Sequence, residues 1–133
     1  MQPHYEMLKV SRKINQNARE EEKMKICLVI GTDAEKRANM CNAMENMGFV
    51  SLEASDPDRA VMTAQGLSPD VILFGDDITS DVFDDGFVEK LRVLKSGKKP
   101  FIYFTDQPDL KNLAHSLVEQ DLLDEPVRKA MGI

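Results

Sequence analysis

The sequence predicts an α/β fold in which a parallel sheet of five strands is covered by helices on both faces, a doubly wound arrangement. Short apolar runs alternate along the chain with longer segments in which apolar residues recur every three or four positions. Because parallel strands need a returning helix between them, this alternation favours right-handed crossovers. The length of 133 residues, 42% of them hydrophobic and 30% charged, is typical of one domain with one core.

The first strand and helix are predicted from a buried apolar run and its flanking residues. Residues 26–30 are all apolar, as in a strand that is buried on both faces. Asp33 follows at a position that suits a helix N-cap, and helical spacing then continues over residues 34–47. Gly48 is placed to end this helix.

The middle of the chain repeats the same pattern. Residues 49–54 alternate like a half-covered strand. Asp56 and Pro57 predict the cap and first turn of a second helix. Residues 71–74 are apolar like the first strand, which makes residues 70–74 the third strand, and Gly75 ends it.

The polar segment over residues 76–85 contains five aspartates and is predicted to be a loop. Regular patterns return after it. The remaining predicted elements are a helix over residues 87–94, a strand over 101–104, a helix over 110–118, a short fifth strand at Leu122-Leu123 and a truncated last helix within 126–133.

Residues 1–24 are predicted to be an extension that precedes a single domain over residues 25–133. Tyr5, Leu8, Ile14 and Ala18 recur at helical spacing and indicate a weakly amphipathic helix. We expect this helix to pack over the end of the domain, either in its own subunit or in a neighbouring copy as a homodimer. A disordered leader is the alternative.

Composition excludes several classes of protein. The formal net charge of −6 disfavours binding to nucleic acid or to anionic membrane surfaces. No apolar run is long enough for a signal peptide or a membrane span, which favours a cytoplasmic protein. Cys27 and Cys41 lack metal-ligand or CxxC spacing, and no catalytic constellation is present. We therefore expect no metal, no cofactor and no enzymatic activity.

Over residues 25–126 the chain resembles the receiver domain of bacterial two-component response regulators. The motifs that carry the resemblance are Pro-Asp-Val-Ile-Leu-Phe at 69–74, Asp85-Gly86-Phe87, Pro-Phe-Ile-Tyr-Phe-Thr at 100–105, and Pro126. The resemblance implies a flavodoxin-like sheet with strand order 2-1-3-4-5. It also implies that the working site lies at the carboxyl ends of the strands.

The receiver family uses an acidic pair to hold Mg²⁺, an aspartate as phosphoryl acceptor, a Ser or Thr hydroxyl, and a lysine before the final proline. The matching positions here are Gly31 and Thr32 for the acidic pair, Gly75 for the acceptor, Thr105 for the hydroxyl and Glu125 for the lysine. Only Thr105 fits the pattern. Because phosphoryl transfer depends on cations that neutralise developing negative charge, the resemblance implies a degenerate phosphorylation site.

These departures predict a pseudo-receiver, a phosphorylation-independent module that binds a signalling or regulatory protein. The alternative is an atypical receiver that is phosphorylated on Asp76 or Asp77, since the loop after the third strand is longer than is usual in the family. A small-ligand binder that uses the crevice at the strand ends is a third interpretation.

The surface that binds a partner is predicted from two features. The first helix carries the methionine stripe Met40, Met44 and Met47, which a truncated last helix would leave partly exposed. Ordinary core packing is the alternative for this stripe. Leu122 lies where the receiver family has its switch aromatic residue, which makes it the fourth candidate contact.

Overall fold

The computed structural model describes residues 24–75, 85–105 and 110–133. The predicted extension before residue 24 and the candidate acceptors Asp76 and Asp77 lie outside these residues. Strands and helices alternate, as predicted, up to the last two helices. The elements are β1 (Ile26–Ile30), α1 (Ala34–Asn46), β2 (Val50–Ala54), α2 (Pro57–Leu67), β3 (Val71–Phe74), α3 (Asp85–Arg92), β4 (Phe101–Phe104), α4 (Leu110–Glu119) and α5 (Glu125–Met131).

The strands form a parallel sheet in the order β2-β1-β3-β4. Leu28 at the centre of β1 is in register with Leu52 on β2 and Ile72 on β3, and Ile72 is in register with Ile102 on β4. This confirms the parallel α/β architecture and the relative order of the first four strands.

The sheet separates two apolar clusters, because alternate residues of a strand point to opposite faces. On one face, α1 and α4 pack over Cys27, Val29, Val71 and Leu73. On the other face, α2 and α3 pack over the alternate strand residues Leu28, Ile30, Ile72 and Phe74.

Within the described part of the chain, none of the helices is long and apolar enough to cross a membrane.

The prediction of a fifth strand at Leu122-Leu123 is wrong, because these residues terminate α4. The Asp121 N–H donates to Val118 O (2.9 Å) and the Leu122 N–H donates to Leu117 O (2.8 Å), while Asp121 is left-handed with a φ of 59°. These are the two hydrogen bonds of a Schellman cap. Since the Leu122 amide closes the helix and Leu123 is buried in the core, the pair forms no strand.

The last helix, α5, lies at the amino edge of the sheet, where the strands begin. Lys25, just before β1, has its Nζ 2.6 Å from Oδ1 of Asp124, the residue before α5. Val127 on α5 lies against Gly48, just before β2, so that a β-carbon built at Gly48 would be 3.9 Å from Val127 Cγ2. The chain therefore passes from α4 into α5 without returning to the carboxyl edge.

Candidate functional site

The carboxyl edge of the sheet brings together most of the described positions that correspond to the receiver phosphorylation site. The Gly31 N–H donates to Ala54 O on β2 (3.2 Å), and the Gly75 N–H donates to Ile30 O on β1 (2.9 Å). The Thr105 N–H donates in turn to Phe74 O on β3 (3.0 Å). These bonds continue the strand ladders, so Gly31, Gly75 and Thr105 lie side by side, with the exposed Thr32 following Gly31.

Glu125 does not join this group, contrary to the sequence-based expectation. It is the first residue of α5, and the neighbouring Asp124 is paired with Lys25 at the amino edge. The expectation required a fifth strand to carry the chain back across the sheet. Because that strand is replaced by a helix cap, Glu125 begins a helix at the opposite edge.

Arg37 is a residue of the carboxyl edge that sequence reasoning missed. Its Nη1 donates to Gly31 O (2.7 Å), and its Nε is 3.0 Å from Oε1 of Glu53 on β2. The side chain is only 14% exposed. The sequence does contain a signal for this contact. Because α1 begins at the carboxyl edge, a basic residue in the first turn of α1 can reach back to the end of β1.

Asp33 caps α1, as predicted, by accepting a hydrogen bond from the Lys36 N–H (3.0 Å). Mg²⁺ prefers several oxygen ligands, mostly carboxylates and water. Gly31, Thr32 and Gly75 supply no carboxylate, and the Gly31 carbonyl already accepts from the Arg37 guanidinium. In the described ranges no cluster of three or more His, Cys, Asp or Glu side chains could hold a metal. These residues do not fit the magnesium site that the receiver family uses.

An aromatic stack borders the same edge. The Phe104 ring stacks on Phe74 with centroids 4.9 Å apart, and Phe87 meets Phe74 edge-on at 5.9 Å. Phe74 and Phe87 are buried, whereas Phe104 is 58% exposed. The end of β4 thus presents an aromatic surface beside Thr105.

The methionine stripe is not an exposed partner surface. Met40, Met44 and Met47 are 4%, 0% and 4% exposed. They belong to a cluster that also contains Leu117 and Leu123, with Val127 of α5 packed against it. The core interpretation is therefore correct for all three methionines. The turn that follows α4, together with α5, covers the stripe that a truncated last helix was expected to leave exposed.

Leu122 has a different environment from the methionines. It lines an open groove of about 410 Å³ at the amino edge of β3 and β4. The other residues lining the groove are Asp70, Arg92, Lys98, Lys99, Pro100, Phe101, Ile102 and Gln120. Of the four candidate contacts predicted from sequence, Leu122 is the one that the structure places at an open surface.

Solved structures similar to this chain share one fold. The receiver domain of the hybrid histidine kinase CckA superposes with a TM-score of 0.53 at 20% sequence identity, covering 73% of this chain and 98% of that chain. The chain has a receiver-like fold. A response regulator receiver modulated diguanylate cyclase from Pelobacter carbinolicus gives a TM-score of 0.51 at 17% identity, covering 74% and 96% of the two chains.

Sequence comparison adds nothing to this structural likeness. No family model matches the sequence, and no curated protein matches it. The receiver-like fold is therefore recognised from the arrangement of its strands and helices.

Proposed function

We propose that this receiver-like chain is a phosphorylation-independent module that binds a protein partner in a bacterial signalling system. The observation that carries the proposal is the chemistry of the carboxyl edge. The positions of the metal-binding acids and of the acceptor are Gly31, Thr32 and Gly75, and Arg37 is hydrogen-bonded to the first of them.

Electrostatics supports this proposal. A divalent cation at this edge would find the Gly31 carbonyl already used by the Arg37 guanidinium and the Glu53 carboxylate already paired with it. The lysine that neutralises the phosphoryl group in the family is also missing. Its sequence counterpart Glu125 is acidic and lies at the other edge. Both sources of charge stabilisation that phosphoryl transfer needs are thus absent from the positions described.

The similar structures support the signalling part of the proposal. One is the receiver domain of a hybrid histidine kinase and the other is a receiver-modulated diguanylate cyclase. In both names the receiver is one part of a signalling protein. A receiver-like domain that has lost the phosphorylation chemistry retains surfaces for protein contact, and such contact is the activity we propose.

A titration followed by ¹H–¹⁵N spectra tests the proposal. Mg²⁺ is added first and beryllofluoride, a mimic of the acyl phosphate, second. We expect the amide signals of Gly31, Gly75 and Thr105 to remain unshifted. A receiver domain with an intact acidic pair, treated in parallel, shows that the reagents are active.

Saturable shifts that need both reagents would contradict the proposal. The variants Asp76→Asn and Asp77→Asn would then identify the acceptor, since loss of the shifts in one variant only would assign the phosphoryl group to that aspartate. That result would establish the atypical phosphorylated receiver in place of the phosphorylation-independent module.

A further inference from the structure

β4 is the end strand of the sheet formed by the described residues, and one side of its backbone faces outward. The N–H groups of Phe101 and Thr105 donate to Asp70 O and Phe74 O of the β3 side. Since alternate residues of a parallel strand bond to opposite neighbours, the N–H and C=O groups of Ile102 and Phe104 point away from β3. An unpaired edge of this kind is a template for another strand.

The groove at the amino edge follows this free side of β4. Arg92 approaches from α3, which packs on one face of the sheet, and Leu122 approaches from the end of α4, which packs on the other face. Phe101 and Ile102 of β4 line the groove between them. The groove therefore lies along the outward side of β4, near the amino end of the strand, where an added strand would begin to pair.

The rim of the groove is basic, although the chain carries a net charge of −6. Arg92, Lys98 and Lys99 line it, and Asp70 is the one carboxylate among the lining residues. Arg92 is itself paired with Glu89, with Nε 2.8 Å from Oε2. Asp70 is already engaged, because its Oδ1 is 2.7 Å from Lys98 Nζ and its Oδ2 accepts the Ile26 N–H at 2.8 Å. Lys99 is exposed and forms no ion pair with the described residues. The uncompensated charge of the groove is therefore the Lys99 ammonium, which is complementary to a carboxylate.

We propose that this groove binds an extended acidic segment of a partner protein, which adds to β4 as a strand. The backbone of that segment pairs with the outward groups of Ile102 and Phe104, and its acidic side chains meet Lys99. Strand addition derives affinity from main-chain hydrogen bonds and specificity from side-chain contacts. The inference rests on the proposed function, for which it names the chemistry of the partner.

The probe is the blocked peptide Ac-(Val-Glu)₄-NH₂, which combines strand propensity with negative charge. Ac-(Val-Lys)₄-NH₂ has the same length and opposite charge. We expect the acidic peptide alone to shift the amide signals of Lys99, Ile102 and Phe104 in ¹H–¹⁵N spectra, with an affinity that falls as salt is added.

Two charge-reversal variants provide a matched comparison. Lys99→Glu should weaken binding of the acidic peptide about fivefold to tenfold, the effect of losing and then reversing an exposed ion pair. Lys111→Glu, on the first turn of α4 and also exposed, changes the net charge equally away from the groove and should leave binding unchanged. Melting temperatures of both variants verify that they fold.

Several results would overturn the inference. These are absence of binding by the acidic peptide, equal binding of both peptides, and equal weakening by the two variants. Slow amide exchange at Ile102 and Phe104 in the free protein would show that the outward side of β4 is already hydrogen-bonded. Protection that is independent of concentration would indicate the chain's own residues as the cover, and protection that grows with concentration would indicate a second copy.

The two tests fail separately. If the acidic peptide does not bind and the Gly31, Gly75 and Thr105 signals stay unshifted with Mg²⁺ and beryllofluoride, strand addition at the groove is rejected. The proposal of a phosphorylation-independent module then still stands. Shifts induced by Mg²⁺ and beryllofluoride would reject the module, whether or not the peptide binds.

Discussion

The two edges of the sheet are held together in different ways. At the amino edge, side chains join segments that are distant in sequence: Asp70 connects the start of β1 to Lys98 before β4, and Lys25 pairs with Asp124 before α5. Backbone bonds continue the ladders at both edges, and the side-chain link at the carboxyl edge is Arg37, which joins α1 to the end of β1 and to Glu53 on β2.

This difference shows that the framework contacts of the sheet are separate from the positions at its carboxyl edge. The polar contacts that tie the strands at the amino edge do not involve Gly31, Gly75 or Thr105. The residues at positions 31 and 75, which correspond to a metal-binding acid and the acceptor of the receiver family, can therefore vary while the sheet stays intact. The separation of framework contacts from reactive positions is general in α/β folds, where loops at one edge carry the function.

The largest effect is expected from Leu123, which seals the core at the amino edge. Leu123→Ala should lower the free energy of unfolding by about 2–4 kcal/mol, because it leaves a cavity beside the methionine cluster. The matched variant Leu122→Ala, at a half-buried position, should cost about 1 kcal/mol. Urea unfolding followed by circular dichroism measures both, and equal losses would contradict the assigned burial of the pair.

Asp70 provides the next largest effect. Asp70→Ala should cost about 2–3 kcal/mol, since the Ile26 N–H loses its acceptor and Lys98 loses its carboxylate partner. Asp70→Asn retains an acceptor for Ile26 and should lose about 1 kcal/mol. If both variants unfold at the same urea concentration as the wild type, the amino edge is not held by this carboxylate.

Arg37 tests the opposite edge and should give a smaller loss. Arg37→Met retains the aliphatic stem but removes the bonds to Gly31 O and Glu53, at a cost of about 1 kcal/mol. Glu53→Gln, which removes the ion pair alone, should cost less. Thermal unfolding of the two variants separates the carbonyl contact from the ion pair, and a loss larger than that of Asp70→Ala would reverse the ranking of the edges.

The last effect concerns the core between the edges, is absent at neutral pH and appears only at alkaline pH. Burial, aided by the carboxylates of Glu53 and Glu45, raises the pKa of Cys41 from 9.0 to about 11, and burial also raises the pKa of Cys27. Because the folded state disfavours the thiolate, this stabilisation is complete below pH 9 and is lost as the pH rises toward 11.

Unfolding measured between pH 8 and pH 11 tests this expectation. Cys41→Ala should show a shallower loss of stability with pH than the wild type, since one of the two titrating thiols is gone. An identical slope in the two proteins would contradict the assignment. Iodoacetamide at pH 8 should correspondingly modify the native thiols slowly, and urea should accelerate the reaction.

The elements that sequence reasoning predicted correctly depend on local signals. The apolar runs of β1, β3 and β4 are short and uninterrupted, and each forms a strand. The cap residues Asp33 and Asp56 accept from amides three residues ahead, at 3.0 and 2.9 Å, as their positions before the helices suggested. Such interactions span one turn, so the sequence pattern alone is sufficient to recognise them.

The errors share a different cause. Leu122-Leu123 has the composition of a strand, but its amides and side chains are used to end α4 and to fill the core. The cap bonds are local, but the burial of Leu123 depends on a cluster with residues of α1, which are far away in the sequence. The placement of Glu125 and the burial of Met44 follow from the same choice, because both are set by where the chain runs after α4.

The order of the first four strands and their helices could be predicted from the sequence, which also shows that positions 31, 32 and 75 carry no carboxylate. Tertiary structure alone decided which edge each remaining residue occupies. Arg37 reaches the end of β1, Glu125 lies at the far edge, and Leu122 meets Lys99 in one groove. The physical reason is that periodicity specifies the face of each element, whereas the packing of distant elements specifies which faces and ends come together.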